Sequence, residues 1–478
     1  MRDRHVLRAW PLTPIHVGTG EELTPESFAL DGDRLRSFNS FAALATASEK
    51  DRGRYRQWLT SGAFVKAQTE LAKLGSSRGA FSGESIAVSA STMSDLRKVL
   101  DGQSPGKAGI RPFMRDGGAP ILPGSSVKGA LRTAWIDKEI GAAAPPHLKP
   151  RGPGDTGRAA SAVNTAALVI EKPSALEQDP FRDLAVIDAA IPPGRTRYDR
   201  ATLGKLDRDK AKLNFDQTHG IQMHVERLVS LADGGKVEPF GVEIDLSSAG
   251  YVERRARMGE RERRRIVPER PIDAPALWAA ANRFHADLWR YERGRFYADT
   301  ATAALLDRLL ASFGVKDGDD LAGQLDAKGL VLLRVGRYGQ FESKAVRLDG
   351  RRYGVKAATY SKSSGKKDAQ LMYEGGTRTT AKVAGNIDAP FGWLLLALPG
   401  KGPAGAVSAA SGTAAAASPL AARPVSAGQF RFLKGDRIVH DDLGEGTVAQ
   451  DVSVSATRMV INFDGDIEEQ PVAGWSRK

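Results

Sequence analysis

The sequence predicts an α+β protein with antiparallel sheets, followed by a tethered, small all-β piece. Three observations carry that prediction. Short β-like runs alternate with amphipathic helices through residues 1–399, and their mixed order with long returning connections disfavours a doubly wound parallel sheet. Residues 400–429 are nearly all Ala, Gly, Ser and Pro, with too few large apolar side chains to offset the entropy of ordering them. Residues 430–478 break into short strands between glycine turns.

Each element has its own signal. The runs 5–10, 184–188, 221–231, 240–246, 330–335 and 393–398 read as strands, being apolar or alternating over strand-length windows. Helices are expected at 54–74, 125–140, 274–292 and 301–313. In the second of these, Val127, Leu131, Ala134 and Trp135 fall at i, i+4, i+7 and i+8, one apolar stripe facing a core. Pro123-Gly124 breaks the chain ahead of it, and Ser125 or Ser126 suits the N-cap. The Gly- and Pro-rich stretches 101–124 and 141–160 read as long loops. Over 400–429, Pro403, Pro419 and Pro424 oppose an Ala-rich helix, so that segment reads as a flexible linker.

Composition narrows the function classes. The 478 residues include no cysteine, which excludes disulfides, thiolate zinc sites, iron–sulfur clusters and a cysteine nucleophile. The best apolar run, Gly392 to Pro399, is far below the ~20 residues of a spanning helix. The N-terminus has charges with no apolar stretch behind them, so no secretory signal is expected and a cytoplasmic location is. Net charge is +12, and it is unevenly placed. Residues 1–400 hold 61 Lys and Arg against 48 Asp and Glu, whereas residues 430–478 hold 6 against 9. The large part therefore suits an anionic partner, and the acidic C-terminal piece does not.

Four segments could carry that binding. In LTPIHVGTG (12–20), Gly18 and Gly20 follow a strand-like run and let backbone N–H groups approach a phosphate. His16 within it reads either as a general base or, more ordinarily, as a strand-end histidine bonded to backbone. In PILPGSSVKGALRTAW (120–135), Lys128 and Arg132 share a helix face beside free N–H groups, which suits an oxyanion, although the spacing is not that of a nucleotide-binding Walker loop. LLRVGRYGQFESKAV (332–346) puts Arg334, Gly336, Arg337, Tyr338, Gly339, Phe341 and Lys344 in one stretch, the mixture of cation, aromatic and glycine that RNA surfaces use. The run 254–270 holds eight arginines with interspersed glutamates, equally an exposed salt-bridged helix or a groove lining. No HExxH, GxSxG or His cluster at metal spacing occurs, and Asp188 reads as a strand-terminal Asp bonding a turn.

Taken together, LTPIHVGTG (12–20), ILPGSSVKGALRTAW (121–135), DLAVIDA (183–189), AANRFHADLWRYERGRF (280–296) and LLRVGRYGQFESKAV (332–346) resemble the RAMP superfamily of CRISPR RNA-binding proteins. Within it they are most similar to the fifth subunit of the type III-A Csm effector complex, with sister type III-B subunits close behind. The resemblance implies RRM-like (ferredoxin-like) modules, two of them, carrying insertions. It implies a non-catalytic subunit that caps the backbone at the 3′ end of the crRNA, beside neighbouring RAMP backbone and small subunits, and that engages host nucleases during crRNA maturation. In that role Lys128, Arg132 and the Gly336–Gly339 loop hold crRNA phosphates, with His16 and Gly18 beside them; Gly20, Ser125, Ser126, Arg334, Arg337, Tyr338 and Lys344 complete the expected RNA-binding set. No cofactor, metal or membrane is expected.

The C-terminal piece departs from that family. GDRIVHDDLGEGTV (435–448) resembles the small SH3- or Tudor-like barrel at the C-terminus of bacterial repair helicases, and its acidic balance suits protein docking. For the chain as a whole, the alternative to a scaffold is a metal-independent RAMP endoribonuclease with His16 as general acid or base.

Overall fold

The computed structural model describes residues 4–77, 84–101, 109–142, 163–168, 178–207, 212–215, 222–246, 259, 272–348, 351–353 and 376–408, and seven short strands between 430 and 477. The chain divides into two compact units, Met1–Ala410 and Ser411–Lys478. The elements that build the first unit's site are, in chain order, β1 (Arg4–Pro11), α1 (Gly124–Ala142), β2 (Ala185–Val186), β3 (Thr196–Asp207), β4 (Gln222–Leu228), β5 (Phe240–Asp245), α2 (Ala274–Phe296), β6 (Leu330–Arg334), β7 (Thr377–Val383) and β8 (Trp393–Ala397).

Five of these strands form one antiparallel sheet in the order β6-β8-β1-β5-β2. Read along the chain, β1-α1-β2-β5-α2 followed by β8 is the βαββαβ connectivity of a ferredoxin-like module, with β8 beside β1 and antiparallel to it in the place of the last strand. β6 is an addition at the sheet edge, joined through β8, which pairs Leu395 with Leu332 on one side and Leu396 with Ala9 on the other. The helices α1 and α2 pack on each other and against β6. Every residue of β6 and β8 is buried, which explains why both read as continuous apolar runs without alternation. Trp10, Trp289 and Trp393 are the largest wholly buried side chains, with Trp289 edge-on to Trp393 at 4.9 Å.

A second sheet runs from Ile387–Pro390 through β7 and β3 to Ile86–Val88 and the hairpin Phe28–Asp31/Arg34–Ser37, and β4 pairs with the other part of β3. The two sheets draw on interleaved stretches of chain, so residues 1–410 form one unit and not two successive ones.

Several expectations change. The helix expected over 54–74 is two helices, Glu49–Thr60 and Phe64–Ser77, because Ser61 closes the first and Gly62 takes a φ of +72°. The loop expected over 101–124 contains Ile110–Arg111 and a hairpin, Arg115–Asp116 with Ala119–Leu122, turning at Gly117-Gly118. Val407–Ser408 pairs with Lys236–Val237, so the first unit extends past the expected linker start at 400; residues 409–429 lie outside the described ones. So does the Arg-rich run 254–270, Gly259 apart, and most of the 141–160 stretch. The C-terminal unit is β-rich, with the antiparallel strands Asp466–Pro471, Arg458–Phe463, Gly444–Val448, Arg437–His440 and Ser476–Arg477 side by side in that order. Among the described residues no helix is long and apolar enough to cross a membrane.

The outer edge of β6 is closed by a side chain. Asn282 of α2 is wholly buried; its Nδ2 donates to Leu330 O at 2.7 Å and its Oδ1 accepts from Leu332 N at 2.9 Å. The amide thus takes the place of a neighbouring strand for one donor and one acceptor. Asn282→Leu leaves both backbone groups unpaired in the core and is expected to cost about 2–4 kcal/mol. Urea unfolding followed by circular dichroism checks this; an unchanged midpoint contradicts it.

Candidate nucleic-acid interface

Three segments far apart in the sequence meet at one place: the residues after β1, the N-terminus of α1, and the turn after β6. Backbone-to-backbone packing joins the first and third. Gly336, with a φ of +86°, lies so close to the 15–16 segment that a Cβ there would sit 2.6 Å from His16 O, and Arg337 N donates to the same oxygen at 2.9 Å. Val335 N and Gly392 N continue the clamp, to Gly392 O and Pro14 O at 2.8 and 2.7 Å. At the second segment, a Cβ on Gly124 would reach within 2.0 Å of Val186 O, so only glycine lets α1 begin against β2. Asp188 Oδ1 accepts from Gly124 N at 2.7 Å, the backbone-bonding role its sequence position suggests.

Between these segments lies a cleft of about 460 Å³. Gly18, Ser125, Ser126, Gly336, Arg337 and Lys344 line it, with Arg334 at its base, and among the described residues no carboxylate does. Arg337 and Lys344 are exposed. The first turn of α1 adds the positive end of a 19-residue helix. Cations, hydroxyls and helix N–H groups without an acid among them suit a phosphate or another oxyanion. The serines lie inside that first turn and not at the cap, since the helix already begins at Gly124.

The other expected residues are elsewhere. Lys128 and Arg132 point away from the cleft: Lys128 Nζ donates to Leu184 O at 2.6 Å, and Arg132 pairs with Asp179 at 2.7 Å over the ring of Phe181. Half-burial pushes the Lys128 amine below its usual range. Both side chains tie α1 to the 179–184 segment. Gly20 is an exposed turn with φ +93° and touches nothing. Gly339 is buried under Ser343, and Tyr338 is buried, stacked on His16 at 5.6 Å. The sequence reading missed Gly129 and Thr133, which line the cleft. They had a signal: Ser125, Gly129 and Thr133 recur every four residues as a stripe of small side chains on one helix face.

Arg334 borders the cleft, but its charge faces inward. Its guanidinium pairs with Glu292 of α2, which also accepts from Trp393 Nε1 at 2.9 Å. Arg378 of β7 pairs with the other oxygen of Glu292 at 2.8 Å and with Glu342 at 3.1 Å. All four residues are buried, two acids against two bases. Burial works against the Glu292 charge, yet Arg334 and Arg378 hold its carboxyl below the usual range. The cluster fixes both ends of the 334–342 turn that carries Arg337.

His16 is 1% exposed, and its Nδ1–H donates to Glu226 O at 2.6 Å. Burial first, then the charges of Arg337 and Arg111, lowers its pKa to about 4. The unfolded chain therefore binds a proton there between pH 6.5 and about 4 that the folded chain does not, so folding stability falls as pH drops through that window. By pH 5 the loss amounts to about 2 kcal/mol. Thermal unfolding at pH 7.5 and 5 is expected to show a smaller pH effect in His16→Asn than in the unaltered chain; an identical pH effect contradicts it.

Comparison with known proteins fits this geometry. A model described as the RAMP superfamily matches residues 11–252, a span that begins at the last residue of β1 and holds α1, the 183–189 segment and the whole of β3 to β5. No curated protein matches the sequence. Among solved structures, a chain of a cryo-EM Csm–crRNA–target RNA ternary complex from a type III-A CRISPR–Cas system is similar at a TM-score of 0.50 and 16% identity, over 83% of this chain and 100% of that one. The crystal structure of T. onnurineus Csm5 is similar at 0.42 and 15%, over 81% and 99%. The first likeness extends the shared fold beyond the matched half, and the chain belongs to the RAMP superfamily.

Proposed function

We propose that the chain is an RNA-holding subunit of a type III-A, Csm-like CRISPR effector complex, seated at the 3′ end of the crRNA. The observation that carries this reading is the cleft: three glycine-bearing segments converge on it, and it offers Arg337, Lys344 and the start of α1 with no acid among them. The fold shared with a chain of a crRNA-bearing Csm complex supports the choice of RNA. In this role the chain meets crRNA and neighbouring RAMP backbone and small subunits, and host nucleases trim the crRNA 3′ end beside it. The burial of His16, with Nδ1 held by a backbone carbonyl and a pKa near 4, supports binding over strand scission, because a general acid or base works best near the operating pH and within reach of substrate.

The reading separates cleft residues from tie residues. Arg337→Ala with Lys344→Ala is expected to weaken binding of a labelled crRNA 3′ fragment roughly tenfold or more and to flatten its salt dependence by about 1.4 in log–log slope, two phosphate contacts' worth. Lys128→Ala with Arg132→Ala is expected to lower the melting temperature and leave the slope alone. Filter binding over a salt series decides; the reverse assignment of the two effects, or RNA cut by the chain and spared by His16→Ala, sinks the proposal.

A further inference from the structure

The helical insert between Arg34–Ser37 and Ile86–Val88 contributes nothing to the cleft. It comprises Ser40–Thr46, Glu49–Thr60 and Phe64–Ser77. Among the described residues five large apolar side chains are exposed, and three are here: Phe41 at 86%, Phe64 at 63% and Leu59 at 41%. The middle helix buries no residue at all. It is held by the Ser48 N-cap and by the pairs Arg52–Glu49 and Arg54–Glu70, both at 2.9 Å. Tyr55 packs, partly buried, against the cluster of Phe38, Leu71 and Leu74, and the exposed side chains of the helix owe their composition to something other than the core.

The two helices that carry the exposed phenylalanines are joined through one residue. Glu26 accepts from Ser40 Oγ through its backbone oxygen and from Gln68 Nε2 through its carboxylate. Ser40 precedes Phe41 in the first insert helix and Gln68 lies one turn after Phe64 in the third, so Glu26 ties together the two helices that carry these rings. Lys66 Nζ, two residues on from Phe64, sits 4.7 Å from the Trp58 ring centroid. Charge selects the occupant. Residues 40–77 hold six Lys and Arg against three Asp and Glu, and Lys50 and Lys66 are exposed without a carboxylate partner among the described residues, whereas Arg56 faces the Glu49 carboxylate. The centre of a protein–protein interface is depleted in charge. Open rings interleaved with unneutralised cations are the equipment of a single-strand nucleic-acid surface. The chain itself leads from cleft to insert: Gly18 lines the cleft, Leu23 bridges to Ile110, and the 28–37 hairpin runs into the first insert helix.

We propose that this insert is a second RNA contact, which takes the single strand leaving the cleft by stacking bases on Phe41 and Phe64 with phosphates against Lys50 and Lys66. This rests on the reading of the cleft as an RNA site. The test uses the full chain and two labelled oligouridylates, one of about 8 nucleotides that fills only the cleft and one of about 30 that reaches both surfaces. Phe41→Ala with Phe64→Ala is expected to weaken the long RNA roughly tenfold or more and the short one less than about twofold. An unchanged long-RNA affinity overturns the inference. Equal losses on both lengths overturn it too, as does intact RNA binding with lost assembly onto neighbouring subunits, which marks a protein surface instead. Arg337→Ala with Lys344→Ala serves as the reference, expected to weaken both lengths. If it weakens neither, the cleft reading fails and this inference with it; if it weakens both while the Phe variant weakens neither, the inference fails alone.

Discussion

Two glutamates and two arginines sealed together in the interior decide where the cleft's cationic loop stands. Glu292, Arg334, Glu342 and Arg378 come from a helix, two strands and the turn itself, and each charge depends on the others to offset its loss of water. Removing one member of such a cluster leaves an uncompensated buried charge, a cost of about 3–5 kcal/mol. The arrangement that satisfies all four is the one that brings α2, β6 and β7 together. The turn from Val335 to Phe341 is then bounded at both ends by buried charges, and Arg337 projects from its middle.

Around that turn the site is made mostly of what is missing. Gly336 and Gly124 are glycine because carbonyl oxygens of neighbouring segments occupy the space a Cβ would need. Ser125, Gly129 and Thr133 are small, so the exposed face of α1 leaves room beside its N-terminus. Among the described residues no acid reaches the cleft, because Asp188 is turned to the helix start and Glu292 to the interior. The cations divide the same way: Lys128 and Arg132 hold the helix in place, and Arg337 and Lys344 stay free for a ligand. The helical insert extends the same economy to a second surface, with rings and cations that the core does not use.

Much of this was legible in the sequence, and the rest was hidden for identifiable reasons. β1, β6 and β8 are apolar runs and α1, α2 and Ala301–Ala311 have clear periodicity, so the ferredoxin-like module was readable. The second sheet was legible only at β4, because its longest strand, β3, carries Arg197, Asp199 and Arg200 where a core strand is expected to be apolar. Asp199 is buried between Arg197 at 2.9 Å and Arg227 at 2.8 Å, the second a partner 28 positions away. The three motifs that meet at the cleft were each visible, but Lys128 and Arg132 looked like ligands for phosphate because nothing local betrays Leu184 O and Asp179 as their partners. Arg334 misled for the same reason, its partner Glu292 lying in another helix.

The central claim is that the segments after β1, at the start of α1 and after β6 form one RNA-holding surface. Hydrogen–deuterium exchange of the full chain with and without a crRNA 3′ fragment tests it most directly. The account predicts that RNA slows exchange together at 17–18, 125–127 and 336–344, with the 179–184 segment unchanged. Protection confined to 179–184 and the Lys128 face, with those three segments exchanging as in the free chain, would contradict it.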